Sequence, residues 1–185
     1  GLAERYPVHE ELAGRILEEG LEAGFDFAAS WSAPLDHAFL SPLTTLYGDR
    51  PMPPLVPFWV NCFVQPLPAA RRCFAAGQHI ARVVAEGPWN VAIIATGGLS
   101  HFPELSFARV GTSDVDFDRR IVGWMEHGDH KSLTALTTKE LHETGSHELL
   151  NWMVLLGAVA PARARVRFFG EMGRIDLAAL EWPLS

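Results

Sequence analysis

Residues 91–103 read VAIIATGGLSHFP: an apolar run, two glycines, and a histidine directly after a serine. Val91 to Ala95 is short, rich in β-branched residues and bounded by turn formers, which predicts a strand buried on both faces. A buried parallel strand leads to the carboxyl edge of its sheet, where open α/β sheets bind their ligands. Gly97 and Gly98 let the backbone turn there without the penalty a Cβ would bring. The pattern therefore delivers His101 to a candidate site.

Working upstream, VPFWVN reads as another strand, and PLPAARRCFAAGQHIARVVAEG after it carries Ala70, Cys73, Phe74, Gly77, Ile80, Ala81 and Val84 as a helical stripe, with Pro68 near its start. Leu55 to Thr96 is thus expected to form a βαβ unit with a right-handed crossover. Nearer the start, Leu12, Ile16, Leu17 and Leu21 recur at helical spacing between His9 and Gly24, and FDFAAS is a candidate short strand. The stretch WSAPLDHAFLSPLTTLYG holds too many prolines for one regular element, although Asp36 is placed to cap a short helix beginning at His37. Downstream, DFDRRIVGWMEHGD and TTKELHETG predict short helices, and HELLNWMVLLGAV, apolar nearly all round, predicts a buried one ended by Gly157 and Pro161. The expected fold is α/β, a central and mostly parallel sheet flanked by helices, in a single domain over residues 1–185.

A net charge of -7, with no lysine- or arginine-rich run, argues against nucleic acid or an anionic membrane surface as partner. The longest apolar stretch, Leu149 to Ala160, is too short for a membrane span and contains Asn151. No signal-peptide pattern opens the sequence, so a cytoplasmic location is expected. Two cysteines, Cys62 and Cys73, form neither a disulfide framework nor a C-x-x-C motif and read as buried free thiols. A start at Gly1 rather than methionine suggests a processed, trimmed or tagged chain.

Eight histidines invite combination. His142-Glu143 with His147 approaches the H-E-x-x-H zinc motif, but the second histidine comes one residue late, which on a continuous helix turns it off the shared face. His127 and His130 flank a Gly-Asp pair and read as solvated loop residues. ATGG fits neither dinucleotide nor P-loop fingerprints. His37 and His101 stand out because histidine in a Gly- or Pro-rich loop is often at a site. Glu148, opening the buried helix, has two readings: a first-turn cap on the positive end of the helix dipole, or a ligand for a hard cation at the edge of the core.

Taken in order, PLDHAFLSPL, VNCFVQPLP with its long helix, VAIIATGGLSHFP, FDRRIVGWMEHGD and GSHELLNWMVLLGAV resemble the class III extradiol ring-cleaving dioxygenases, the superfamily of the protocatechuate 4,5-dioxygenase β subunit. The resemblance runs from about Leu12 to Ala158, and G-G-x-S-H is its most specific part. It implies that His37 and His101 are acid-base residues, with Ala38 replacing the glycine usual after the first, and that Glu148 is a metal ligand. It also implies Fe(II) held by two histidines and one carboxylate, with open positions for a catecholate and dioxygen. The two histidines belong to a part of the family fold preceding this region, and nothing in the chain matches them; His9 lies on an amphipathic helix where the family places no ligand. The expectation is therefore an incomplete family domain. It is a trimmed piece of a longer enzyme, or part of a site completed by another polypeptide, or a relative that has lost the metal, with the first favoured.

The function implied is insertion of O2 into a small aromatic diol such as protocatechuate, gallate or 2,3-dihydroxyphenylpropionate. The alternative is a non-catalytic subunit or metal-free structural relative. Arg71, Arg72 and Arg109 are candidates to meet a substrate carboxylate. Six tryptophans and an incomplete domain predict a homo-oligomer or a complex with a further subunit or segment.

Overall fold

The structure, a computed structural model, describes residues 6–101, 113–172 and 175–183. Among them are seven helices and one two-stranded antiparallel sheet, in two compact units. One unit comprises residues 1–59 and 82–91, the other residues 60–81 and 92–185.

In the first unit, α1 (Glu10–Glu22) starts where the His9 ring accepts a hydrogen bond from the Leu12 amide, and it buries Leu12, Ile16 and Gly20. Helix α2 (His37–Tyr47) starts as expected at Asp36, whose carboxylate accepts from the Ala38 amide at 2.9 Å. It runs straight through Pro42 despite the expectation of broken structure. The proline removes one intrahelical donor, and the hydroxyls of Thr44 and Thr45 donate to the carbonyls of Leu40 and Ser41. The end of α3 (Ala70–Ala85) joins this unit through Arg82, which pairs with Glu19 and Glu86.

The second unit contains most of α3, then α4 (Val115–His127), α5 (His130–Ala135), α6 (Thr138–Thr144), α7 (Leu149–Val159) and a hairpin of β1 (Arg165–Met172) and β2 (Ile175–Glu181). Helix α7 is buried nearly all round, as its sequence predicts. It lies so close to α3 that a Cβ on Gly77 would fall 1.9 Å from the Val154 carbonyl oxygen, and one on Gly157 would fall 1.9 Å from that of Phe74. Helix α6 carries a reciprocal capping box between Thr137 and Glu140. Cys62 and Cys73 are buried free thiols, pushed up to about 12 and about 11 by burial.

The central parallel sheet is not found among the described residues. FDFAAS, VPFWVN and Val91 to Ala95 adopt no regular secondary structure and form no ladder, so the βαβ unit has its helix and lacks its strands. Among the described residues, the only parallel pairing is a single bridge between Val8 and Leu55. Far from being buried on both faces, Ile93 and Ile94 are 37% and 48% exposed. An apolar β-branched run favours extended backbone, but a ladder also needs neighbours to take its N–H and C=O groups, and the described chain places none beside it.

Candidate active site

The second unit brings His101 and Glu148 together. Gly97 adopts φ +128°, a conformation glycine tolerates and other residues rarely adopt. That turn lays the Gly97-Gly98 backbone against Glu148: a Cβ on Gly97 would meet the Glu148 Cβ and carbonyl oxygen at 3.1 Å, and one on Gly98 would meet Glu148 Oε2 at 3.4 Å. The glycines therefore leave room for the glutamate as well as for the turn.

His101 is fixed on three sides. Its amide donates to the Gly145 carbonyl at 3.1 Å, and Nδ1 lies 2.9 Å from the Leu99 carbonyl oxygen. A carbonyl can only accept, so Nδ1 carries a proton, and in the neutral form of the ring the lone pair is at Nε2. That Nε2 faces Glu148 Oε1 at 3.8 Å, with both side chains about one-quarter exposed. The preceding residue, Ser100, is fully buried; its amide and hydroxyl donate to the two oxygens of Asp118 at 2.9 and 2.6 Å. Asp118 is also fully buried and is pushed up to about 6 by burial, against which the Ser100 hydrogen bonds act, while the neighbouring Asp176 pushes it further up.

Glu148 sits at the N-cap of α7 but makes no side-chain cap hydrogen bond. Its carboxylate lies instead on the His101 side. The buried Cys62 thiol feels the Glu148 charge, which adds to its upward shift and keeps it a neutral neighbour.

His142 and His147 contradict the expectation that they turn apart. Helix α6 ends at Gly145 in left-handed conformation, and the chain folds back so that His142 Nδ1 and His147 Nε2 lie 3.2 Å apart. The period of a continuous helix does not apply across that break. His147 is pushed below the usual histidine range, mainly by burial and then by His142 and His101 nearby. His130 is likewise not a solvated loop residue: its ring packs on Phe74 at 5.5 Å. His37, the first residue of α2, is exposed and belongs to the first unit. Arg71 and Arg72 are exposed on α3, and Arg109 lies outside the described residues.

A facial iron site needs two imidazoles and a carboxylate. Glu148, uncapped and cradled by glycines, suits the carboxylate position. Among the described residues, however, no group of three or more histidine, cysteine, aspartate or glutamate side chains is arranged to hold a metal. The described residues thus fit one arm of such a site and not the whole.

The chain matches, over residues 2–174, the family described as LigB, the catalytic LigB subunit of aromatic ring-opening dioxygenase. It is 31% identical over 159 residues to a gallate dioxygenase of Pseudomonas putida, covering 82% of this chain and 46% of that protein. It is 41% identical over 96 residues to a 2,3-dihydroxyphenylpropionate/2,3-dihydroxicinnamic acid 1,2-dioxygenase of a Mycobacterium species, covering 52% and 31%. A protein of the same name from Mycobacterium ulcerans is 26% identical over 212 residues, covering 89% and 67%. The chain spans less than half the length of the first two of these relatives.

Proposed function

The chain belongs to the LigB family of aromatic ring-opening dioxygenases, and from that premise we propose that it serves extradiol cleavage of a catechol-type diol by O2, with Fe(II) as cofactor. The observation that carries this reading is the approach of His101 Nε2 to the uncapped carboxylate of Glu148 at 3.8 Å. In this reading Glu148 is the carboxylate ligand. His101, protonated at Nδ1 and bare at Nε2, takes a phenolic proton from the diol and later returns it, a role suited to a side chain that titrates near neutrality. His37 is the second acid-base residue. The substrate is an aromatic diol of the protocatechuate, gallate or 2,3-dihydroxyphenylpropionate type, and Arg71, Arg72 and Arg109 are candidates for its carboxylate. Two further iron ligands must come from outside the described residues or from another polypeptide.

One observation favours the second reading, a non-catalytic subunit of the same family: the described residues bring no third donor group to Glu148. Anaerobic reconstitution with Fe(II), followed by oxygen uptake on gallate and protocatechuate, separates the two. Stoichiometric iron with uptake supports the enzyme; failure of the protein carrying this chain to take up iron supports the subunit.

A further inference from the structure

Both ends of one peptide unit are engaged beneath the candidate site. The Ser100 N–H donates to Asp118 Oδ1 at 2.9 Å, and the Leu99 carbonyl lies 2.9 Å from His101 Nδ1. These two groups belong to the same Leu99-Ser100 peptide, which is planar and trans, so its N–H and C=O point in opposite directions. We propose that Asp118 is a positioning residue for His101, acting through this peptide as a carboxylate–peptide–imidazole relay. The inference rests on the proposed reading of His101 as an acid-base residue.

The physics is that of a carboxylate orienting a catalytic histidine, with one amide inserted between them. A carboxylate accepting from the N–H polarises the amide and makes its carbonyl a stronger acceptor. That holds the His101 proton on Nδ1 and keeps the Nε2 lone pair aimed at the space beside Glu148 Oε1. The second Asp118 oxygen accepts a hydrogen bond from the Ser100 hydroxyl, while the Ser100 oxygen accepts from the Asp114 amide, so the loop is tied to the start of α4 at two further points.

Asp176 completes the arrangement. It is 2% exposed, it pushes Asp118 further up, and its Oδ2 is buried without a hydrogen-bond partner among the described residues. The carboxylate and the peptide of the relay, at Asp118, Leu99 and Ser100, are buried, outside the solvent that would screen them.

The test is nitrogen-15 NMR of the histidine rings in the protein carrying this chain, at alkaline pH where the ring is neutral. In the unaltered protein, His101 is expected as the Nδ1-protonated tautomer alone, with scalar couplings across the Nδ1–H to Leu99 carbonyl bond and the Ser100 N–H to Asp118 carboxyl bond. In Asp118→Asn, which weakens the acceptor with little change in shape, the Nε2-protonated tautomer is expected to appear. A folded Asp118→Asn protein in which His101 keeps its single tautomer overturns the proposal. If that variant does not fold, absence of either coupling in the unaltered protein overturns it, and their presence supports it. A tautomer that responds to Asp118 while His101→Gln retains full turnover would leave the relay standing and remove the acid-base reading instead.

Discussion

At the scale of single residues, the proposed ligand Glu148 and the proposed acid-base group His101 lie 3.8 Å apart. Replacing Glu148 with alanine is expected to lower bound iron as well as turnover, because in the proposed site its carboxylate, which makes no cap hydrogen bond, is the ligand. Replacing His101 with glutamine should leave iron bound and slow the chemical step by roughly 10²–10⁴-fold, with His37 behaving likewise. Iron titration and single-turnover kinetics on the three variants check this; iron loss in the His101 variant would make that residue a ligand. Asp118 supplies a second expectation. Burial pushes its carboxyl up to about 6 from the ordinary 3.8, so the folded chain binds this proton more tightly than the unfolded chain. That contribution to stability is present below about pH 4 and is lost as pH rises through about 6, an effect of order 1–3 kcal/mol. Asp118→Asn should remove this part of the pH dependence, read as the difference between the two proteins' denaturation curves across that window.

At the scale of elements, the contact of α3 with α7 depends on the absence of two side chains. Gly77→Ala or Gly157→Ala would drive a Cβ into backbone rather than into a flexible side chain, so each should cost at least the 1–3 kcal/mol usual for overpacking. Thermal denaturation of each variant measures it; an unchanged midpoint would contradict the close crossing. The helices were largely legible because amphipathic spacing and caps are local: Asp36 before His37, and the apolar run of α7, needed no knowledge of the rest of the chain. The strands were not, because Val91 to Ala95 carries the right residue types while pairing depends on neighbours that local sequence does not reveal. The hairpin of β1 and β2 was missed for the converse reason. Its register includes an irregularity between Val166 and Phe168, which breaks the alternation a strand pattern relies on. At the site, the glycine turn before His101 and the position of Glu148 could be read from sequence, whereas the Asp118 relay joins residues 18 apart and shows only in the fold.

At the scale of the whole molecule, the chain matches a catalytic family over nearly its full length while spanning less than half of two of its relatives. Trp31 is 92% exposed, Val64 72%, and Trp59, Phe63 and Ile94 nearly half. Apolar surface of this kind favours association, so sedimentation velocity is expected to show species larger than a monomer. A monomer that also fails to bind an apolar-surface dye would contradict that expectation. The central claim is that His101 and Glu148 belong to an iron-dependent ring-cleaving site. It is tested most directly by loading the protein that carries this chain with Fe(II) under anaerobic conditions, then adding a catechol-type diol and oxygen. The account predicts bound iron and oxygen uptake matched to ring-opened product, both diminished by Glu148→Ala. Iron and uptake that are unchanged in Glu148→Ala, or the absence of iron binding in the unaltered protein, would contradict it.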